Sequence, residues 1–501
     1  MKLSVAVSVA ATVGCLNVLL ARAGTVQSSN IKLPDSANSD RAAVKQLFDN
    51  SYQAYLKFAQ GHDEVTPVDG SFTDPRNGWG ASIVDGLDTM AIMGEDLTQS
   101  LKFISSIDFS KSNTPDSVSV FESTIRYVGG LLSAYELTGK QHQVLVQKAQ
   151  QLADKLAYAW VGANEIPYGD LDFSTNTPVQ QSSNIAEAGS LTLEFGTLSK
   201  YTNNQKYADL ALKSAKHIAN LPAPLPGLAA QDIDPSTGQS IGGYVTWGGG
   251  SDSCFEYYLK YTQLFNPSDT ILINTWSTAV DSSLKTLFKT STQGDFSYLA
   301  DFDDSRRIRH VGSHLACFYG GNWILGGKLL NNQTIVDYGL ALTDGCWNTY
   351  ASTKSGIGPE TFAFKSDDGD YTGSSSPPTQ NQNDFYNQHG FYITSSDYIL
   401  RPEVLESNFY AWRATGDVKY YERAQAAVQS FNKTVVYKPN GGAVGLNDVD
   451  NPEAGYINET PSFWFAEVLK YLYLTFDDPN NISLDTHVFN TEGHPFKAPA
   501  A

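Results

Sequence analysis

The sequence predicts an all-α protein built from repeated helical hairpins, stacked into one closed or solenoid array. Three observations carry that expectation. Helical periodicity dominates the chain and recurs on one plan: an apolar-aromatic helix, a short polar turn, then a second amphipathic helix. The turns fall at Gly139, Asn203-Asn204, Asn266-Pro267, Asn331-Asn332 and Thr415-Gly416-Asp417, spaced by about 64, 63, 65 and 85 residues. Hydrophobic residues make up 41% of the chain and aromatics 12%, enough for a large core, while only 17% are charged.

The first hairpin runs from Leu131-Leu132 through Tyr135 and Leu137 to the turn at Gly139, then on to Leu156. The second has Leu193 through Tyr201 before its turn and Tyr207 through Ile218 after it; the third has Tyr257 through Phe265. The fourth has Trp323 through Leu330, and the fifth joins Phe409 through Ala414 to Tyr420 through Phe431. Between hairpins lie Gly/Ser/Pro-rich loops at 66–80, 222–252, 353–390 and 436–460. Loops of that length usually carry function on one face of a scaffold. The stretch Asp367 through Asn383, with Ser374-Ser375-Ser376-Pro377-Pro378, reads as low-complexity surface loop. No composition shift marks an internal boundary. The expected organisation is a signal peptide at 1–23, an N-terminal segment at 24–38 and one large domain at 39–501.

With 34 Lys+Arg against 53 Asp+Glu, the formal charge is −19. Phosphate contacts need clustered cations, so no nucleic-acid partner is expected, and anionic membrane surfaces are disfavoured for the same reason. The N-terminus reads as a secretory signal. Lys2 gives the positive start, Leu3 through Leu20 is mostly Val, Ala and Leu, and Ala21-Arg22-Ala23 fits small-x-small cleavage before Gly24. A membrane anchor is the weaker alternative, because polar Ser, Thr and Asn interrupt a run barely long enough to span. Cleavage removes Lys2 and Arg22 and no acid, leaving −21. No later stretch of about 18 uninterrupted apolar residues follows. The expected mature protein is secreted, acidic, monomeric and free of a membrane anchor.

Cys15 leaves with the signal, and Cys254, Cys317 and Cys346 remain. An odd count in an oxidising compartment implies one bridge and one buried thiol. Cys317 and Cys346, 29 residues apart in neighbouring helical segments, form the expected pair. No CxxC or HxxxH accompanies them, which argues against zinc. Asn332, Asn432, Asn458 and Asn481 open N-x-Ser/Thr sequons and are expected glycosylation sites.

If the hairpins close into a ring, loops at one end form a funnel in which acids from different repeats meet. Glu122 and Arg126 stand at i, i+4 on one helical face; Asp252 follows Gly248-Gly249-Gly250-Ser251 at the mouth of a helix. Glu403 and Glu406 lie about one turn apart after Pro402, a favoured first helical residue. Each has a plainer reading. Helix-start acids often stabilise the helix dipole, and an i, i+4 Glu/Arg pair is usually a surface ion pair. Glu467 is the sharper case, because an acid amid Phe463, Phe465 and Leu469 needs a buried partner. His314 reads as a satisfied core histidine. Asp301-Phe302-Asp303-Asp304 lacks the glycine and terminal Glu of a calcium loop and is set aside.

The strings FESTIR (121–126), GGGSDSCFEYYLK (248–260), HLACF (314–318), YILRPEVLESNFY (398–410), FWFAEVLKYLYL (463–474) and VFNTEGHP (488–495) occur in this order. Together they resemble the class I α-1,2-mannosidases, glycoside hydrolase family 47, over roughly Asp40 through Pro495 and most nearly in their secreted fungal form. The resemblance implies an (α/α)7 barrel, which accords with the hairpin repeat. It implies an inverting enzyme that removes terminal α-1,2-linked mannose from high-mannose N-glycans with a bound calcium ion.

Carried over residue by residue, the resemblance implies that Glu122 is the general acid, acting through a water. Glu403 is the favoured base and Asp252 the third essential acid, with the base role argued between those two. Thr491 corresponds to the calcium ligand, through its carbonyl and hydroxyl oxygens, with waters held by Glu467 and Glu492. Arg126, Glu187, Glu360, Arg401 and Phe463 match positions lining the mannose pocket, with Asp88 of the GLDTM motif nearby. Cys317 and Cys346 match the family disulfide. Gly250 stands where endoplasmic-reticulum members carry an arginine that narrows specificity, so a roomier site and broader trimming are implied.

The chemistry suits these residue types. Inversion needs one protonated and one ionised carboxyl group, about 6.5–9.5 Å apart so that a water fits between them. Calcium takes about 6–8 oxygens in irregular geometry, so water and sugar hydroxyls can complete a shell begun by one residue. Two rivals remain: a catalytically silent mannose-glycan-binding protein of quality control, and another helical-barrel hydrolase of the glucoamylase type.

Overall fold

The periodic segments become helices, and the residues that end them explain the spacing. The computed structural model describes residues 24–369, 371, 373 and 375–499, so the expected signal peptide at 1–23 lies outside the described residues. Among these, six hairpins follow one another: 81–93 with Thr98–Ser106, 120–137 with Gln143–Leu156, 185–202 with Lys206–Ala219, Asp252–Phe265 with Ile271–Thr286, 315–329 with Gln333–Ala351, and Glu403–Thr415 with Val418–Thr434. Gly94, Gly139, Asn203, Asn266, Asn331 and Gly416 stand at the six turns with φ of 75°, 67°, 54°, 44°, 51° and 70°. Glycine and asparagine enter that left-handed region most readily, so each helix stops there and the chain reverses.

The two helices of a hairpin differ in what they bury. In 120–137 every residue from Ser123 through Tyr135 is buried. Its partner Gln143–Leu156 buries one stripe: Leu145, Val146, Ala149, Leu152, Ala153 and Leu156. A helix apolar all round belongs inside and an amphipathic one outside. The first members therefore form an inner ring and the second members its outer wall.

The chain's two ends make the seventh pair. The last inner segment, 464–476, packs against Ala37–Phe58. Phe465 meets Phe48 and Tyr52 at 5.4 and 5.5 Å between ring centres, and Trp464 Nε1 donates to Ser51 Oγ at 3.1 Å. The fold is an (α/α)7 barrel, the expected class. Among the described residues no helix is long and apolar enough to cross a membrane.

The long loops are more ordered than their composition suggests. They hold short antiparallel strands, among them Glu64–Thr66 with Ser71–Thr73, and a three-stranded sheet of Val311–Ser313, Thr361–Ala363 and Tyr392–Ser395. The surface loop expected at 367–383 runs into a helix, Gln380–His389. There Thr379 and Gln382 cap each other: the Gln382 N–H donates to Thr379 Oγ1 at 3.3 Å and the Thr379 N–H to Gln382 Oε1 at 2.9 Å.

After the last helix, His487–Phe489 pairs with Pro495–Lys497, and this hairpin enters the ring from the end where inner helices finish. The Lys497 N–H donates to Glu136 there, while the Asn490 side chain donates to the Ile125 carbonyl at 2.9 Å, well up the same inner helix. The hairpin plugs the barrel and carries residues 490–494 to its middle.

Cys317 and Cys346 are bonded, joining an inner helix to its outer partner, and Cys254 is a buried free thiol. Replacing both bridged cysteines by serine is expected to cost about 3–4 kcal/mol, the loop-entropy value for a closure of this length, read as a shift in the denaturation midpoint at unchanged slope. Three sequon asparagines, Asn332, Asn432 and Asn481, are exposed; Asn458 is half-buried and accepts from the Val68 N–H at 2.7 Å.

Candidate active site

Inner helices begin at one end of the barrel, and the acids singled out from the sequence sit in their first turns. Glu122 follows the start at Val120, Glu187 the start at Ile185, and Asp252 and Glu403 each open their helix. Glu467 lies in the opening turn of 464–476, a π-helical turn matched by another at Ser123–Val128 around Arg126. Such turns re-aim side chains at functional sites. The positive ends of the helix dipoles thus face one pocket, where they favour carboxylates.

That pocket has a volume of about 310 Å³. Eight carboxylates line it (Glu122, Glu187, Asp252, Glu256, Glu403, Glu406, Glu467 and Glu492) against two guanidinium groups, Arg126 and Arg401. Phe463 gives it an apolar wall, and Thr491 lies on it as well. Buried Leu400, with φ of 66°, turns the chain sharply into Arg401-Pro402-Glu403. A β-carbon makes that conformation costly, and such strain collects at functional sites.

The acids differ in how their surroundings treat a proton. Burial opposes ionisation of Glu403, but the hydrogen bond from His314 Nδ1 at 2.6 Å, the charge of His314 and Arg401 outweigh it and hold the carboxyl below the usual range. His314 is itself buried and held from behind by Tyr350 Oη at 2.8 Å. Glu122 is also held low. Burial is outweighed by Arg126, whose Nε donates at 2.7 Å, and by Arg76 at 3.4 Å. Asp252 goes the other way: burial, then the charges of Glu256 and Glu403, push it up to about 7. Burial and the neighbouring carboxylates also raise Glu467. Burial raises Glu492 too, against Arg126 and with Asp85 and Glu122 adding. Two carboxyl groups with opposed proton affinity facing one cavity are what acid–base hydrolysis requires.

Residues 490–494 are fixed from below. Asn490 Oδ1 accepts from the Glu492 and His494 N–H groups at 3.0 and 2.8 Å. His494 lies between Asp88 at 2.9 Å and Asp85 at 3.2 Å, and Lys470 Nζ donates to both Asp88 at 2.9 Å and the Gly493 carbonyl at 2.6 Å. The Thr491 N–H donates to Tyr257 Oη at 3.3 Å, and Tyr257 to Glu194 at 2.6 Å. The hydroxyl and carbonyl oxygens of Thr491 accept nothing from any described residue.

Most expected site residues meet here, with two corrections. Asp88, expected at the substrate, is fully buried under the Thr491 loop, where Lys470, His494 and Ser133 occupy its carboxylate. It anchors that loop and does not face the pocket. Glu360 stands behind the pocket wall, its Oε1 taking the Arg401 Nε–H at 2.6 Å, so it orients Arg401. Sequence reasoning missed His314 as the partner of Glu403, and it missed Glu256 and Lys260, which join the Glu406 it had singled out: Lys260 pairs with Glu256 and lies 3.9 Å from Glu406. A charged i, i+4 pair inside the aromatic run 254–261 was the available signal.

A closed ring of helical hairpins whose inner helices deliver acids of opposed proton affinity to one cavity is the construction of a barrel-type glycoside hydrolase. The profile of glycosyl hydrolase family 47 matches residues 47–498, and the chain belongs to that family. A relative described as a probable mannosyl-oligosaccharide alpha-1,2-mannosidase 1B, from Aspergillus clavatus, is 37% identical over 495 residues, covering 92% of this chain and 94% of the relative. The mannosyl-oligosaccharide alpha-1,2-mannosidase 1B of Emericella nidulans is 37% identical over 501 residues, covering 95% and 96%. The solved structure of an alpha-1,2-mannosidase from Trichoderma reesei superimposes with a TM-score of 0.88 at 36% identity, covering 92% of this chain and 99% of that one.

Proposed function

We propose that the protein is an exo-acting α-1,2-mannosidase that removes terminal α-1,2-linked mannose from high-mannose N-glycans, with inversion and with a bound calcium ion. The opposed proton affinities of Glu403 and Asp252 in one pocket carry this reading, and the names of the relatives supply the sugar and linkage. A silent glycan-binding protein would have no use for that opposition. The signal-like N-terminus supports a place in the secretory pathway. Gly250 lines the pocket and brings no side chain into it, which supports the broader trimming implied by the absent arginine.

Glu403, ionised and oriented by His314, accepts a proton from the attacking water as that oxygen bonds to the anomeric carbon. The bond to the glycosidic oxygen breaks, and Asp252, which keeps its proton to about pH 7, protonates the departing oxygen. The resemblance would give that donation to Glu122. In the free protein, however, Arg126 and Arg76 hold Glu122 ionised, so we assign it to fixing Arg126. Phe463 offers the sugar an apolar face, and Arg401, pinned by Glu360, a fixed donor.

The residues present fit a calcium ion: two Thr491 oxygens with no partner among the described residues stand among carboxylates that outnumber their cations. Thr491 would hold it, with Glu467 and Glu492 holding its waters. When bound, the ion neutralises the cluster and coordinates sugar hydroxyls.

The test is a proton NMR time course on α-1,2-mannobiose with calcium and then with excess chelator. Early β-mannose, abolished by chelator and restored by calcium, is expected. Early α-mannose would overturn inversion, and tight binding without release would favour the silent reading.

A pH prediction follows from the same charges. Glu467, Glu492 and Asp252 have folded-state affinities raised above the unfolded value of about 4. Their stabilisation is therefore complete below that value and lost as pH rises, for Asp252 through about 7 and for Glu467 and Glu492 as their own raised affinities are passed. Glu122, Glu403, Asp85 and Asp88 are depressed, so theirs is lost only in stronger acid. In chelator the Tm is expected to fall between roughly pH 5 and pH 8, and calcium to restore most of the loss by binding only the folded state. A chelated Tm that rises over this range would contradict the account.

A further inference from the structure

Residues 24–28 cross the end of the barrel where the inner helices finish, and they touch the ends of three of them. The Gly24 N–H donates to the Leu329 carbonyl at 3.2 Å, on the last residue of Tyr319–Leu329. The Ser28 N–H donates to the Arg413 carbonyl at 2.7 Å, in the last turn of Glu403–Thr415. Between them Val26 is buried, and Gln27 Nε2 donates to the Pro479 carbonyl at 2.8 Å, just past 464–476. Asp485 Oδ1 accepts from the Val26 and Gln27 N–H groups at 2.6 and 3.2 Å. Gln27 also serves a buried charge. Arg413 is fully buried and rests on the carbonyls of Leu474 and Pro479, each at 2.8 Å, and on Gln27 Oε1 at 2.9 Å. The segment thus straps the seam at which 464–476 closes the ring.

Gly24 is fitted to its place. A β-carbon there would lie 2.2 Å from the Lys328 carbonyl oxygen and 2.6 Å from Asn331 Oδ1, so only glycine can stand so close. Those two oxygens and the Leu329 carbonyl make three acceptors around one residue. The Lys328 carbonyl keeps a lone pair beyond the bond it takes from the Asn331 N–H at 3.1 Å. All three lie at the C-terminal end of an 11-residue helix, where the dipole is negative. A peptide N–H can serve one of them. An ammonium carries three donors and the charge that this end favours. Among the charged side chains on these elements, Asp485 favours it, while Lys328 and Arg413 oppose it.

We propose that the mature protein begins at Gly24 and that its α-ammonium is bound at this helix end, so that removal of the leader fastens the seam of the ring. The inference rests on the secretory reading of the N-terminus and gives the cut a structural use. A signal peptidase hydrolyses the bond between Ala23, which lies outside the described residues, and Gly24. One water is consumed: the Ala23 carbonyl carbon departs as a carboxylate, and the Gly24 nitrogen takes up protons to become the ammonium. An uncut chain keeps a single neutral N–H there and leaves two acceptors and the helix end without a charge.

The first measurement is the intact mass of protein expressed from the full-length chain with its own leader. A start at Gly24 is expected, and any other start would overturn the processing. The second uses chains of defined start, released from a fusion partner, and so tests the seat whatever route the protein takes in a cell. One begins at Gly24, one retains Arg22 and Ala23, and one carries Gly24→Ala. At about pH 7.5, succinimidyl acetate is expected to label the Gly24 amine about tenfold more slowly in the folded chain than in urea. That is the fall in neutral amine brought by about one unit of added proton affinity. The other two chains are expected to label alike in both states. The Gly24 chain should also melt above the extended one near about pH 7 but not near about pH 10. An ammonium whose folded affinity is raised gives its stability below the unfolded value of about 8 and loses it as pH rises. Equal labelling of Gly24 folded and unfolded, or a melting difference that persists near about pH 10, would overturn the bound ammonium. Protection in the defined chain without a cut in the expressed one would overturn the secretory reading and leave the seat standing.

Discussion

Glu403→Gln is expected to cut kcat/KM on α-1,2-mannobiose roughly 10³-fold, inside the span that positioned acid–base groups supply. The amide keeps the shape and can still meet His314, but it cannot take the proton of the attacking water. Its companion is Asp252→Asn, expected to lose a similar factor together with the alkaline limb of the pH profile. That limb belongs to the proton donor, and burial holds the Asp252 proton to about pH 7. Glu122→Gln, by contrast, is expected to lower activity while keeping the limb, because Arg126 and Arg76 have already stripped that carboxyl of its proton. Steady-state profiles from roughly pH 4 to pH 9 separate the cases. A limb that survives in Asp252→Asn and vanishes in Glu122→Gln would return the donor role to Glu122. More than a tenth of the activity left in Glu403→Gln would remove it as base.

The largest loss of stability is expected from Lys470→Met. Lys470 and Asp88 are both fully buried, and the ammonium also holds the Gly493 carbonyl. Removing one member of a buried pair strands the other, at about 3–5 kcal/mol. Asp88 would keep His494 and Ser133 but would stand unneutralised beside Asp85. Since the same network holds residues 490–494, calcium affinity is expected to fall with stability, whereas the double cysteine variant should lose stability alone. Urea midpoints and calcium titrations of both variants make the comparison. A loss below about 1 kcal/mol would mean that His494 alone neutralises Asp88.

Five of the seven helix pairs were legible because their turns carry Asn or Gly where an apolar period breaks, and both signals are local. The pair at 81–106 escaped because Gly86 breaks its inner helix into two short pieces, Ala81–Asp85 and Leu87–Met93. The seventh escaped because its helices stand at opposite ends of the sequence, where no window spans them. The acids of the site were legible as types at helix starts. Their roles came through resemblance, and their proton affinities only through neighbours from other repeats: His314 lies 89 positions from Glu403, and Glu492 lies 366 from Arg126. Asp88 shows the reverse error. Its motif suggested the substrate, and only the fold reveals that the carboxylate is spent on a lysine and a histidine.

The hairpin that plugs the barrel also sets when the protein can work. Its tip brings Thr491 to the pocket, and the wall beside it is completed by pairing 464–476 with a helix made some 400 residues earlier. On a ribosome adding about 5–20 residues per second, the early hairpins can stack while the ring stays open. Glu122 and Asp252 are then present but have neither the Thr491 loop nor the final helix beside them. Hydrolytic competence should arrive only once residues 464–497 have been made, so a chain cut before them is expected to be inactive.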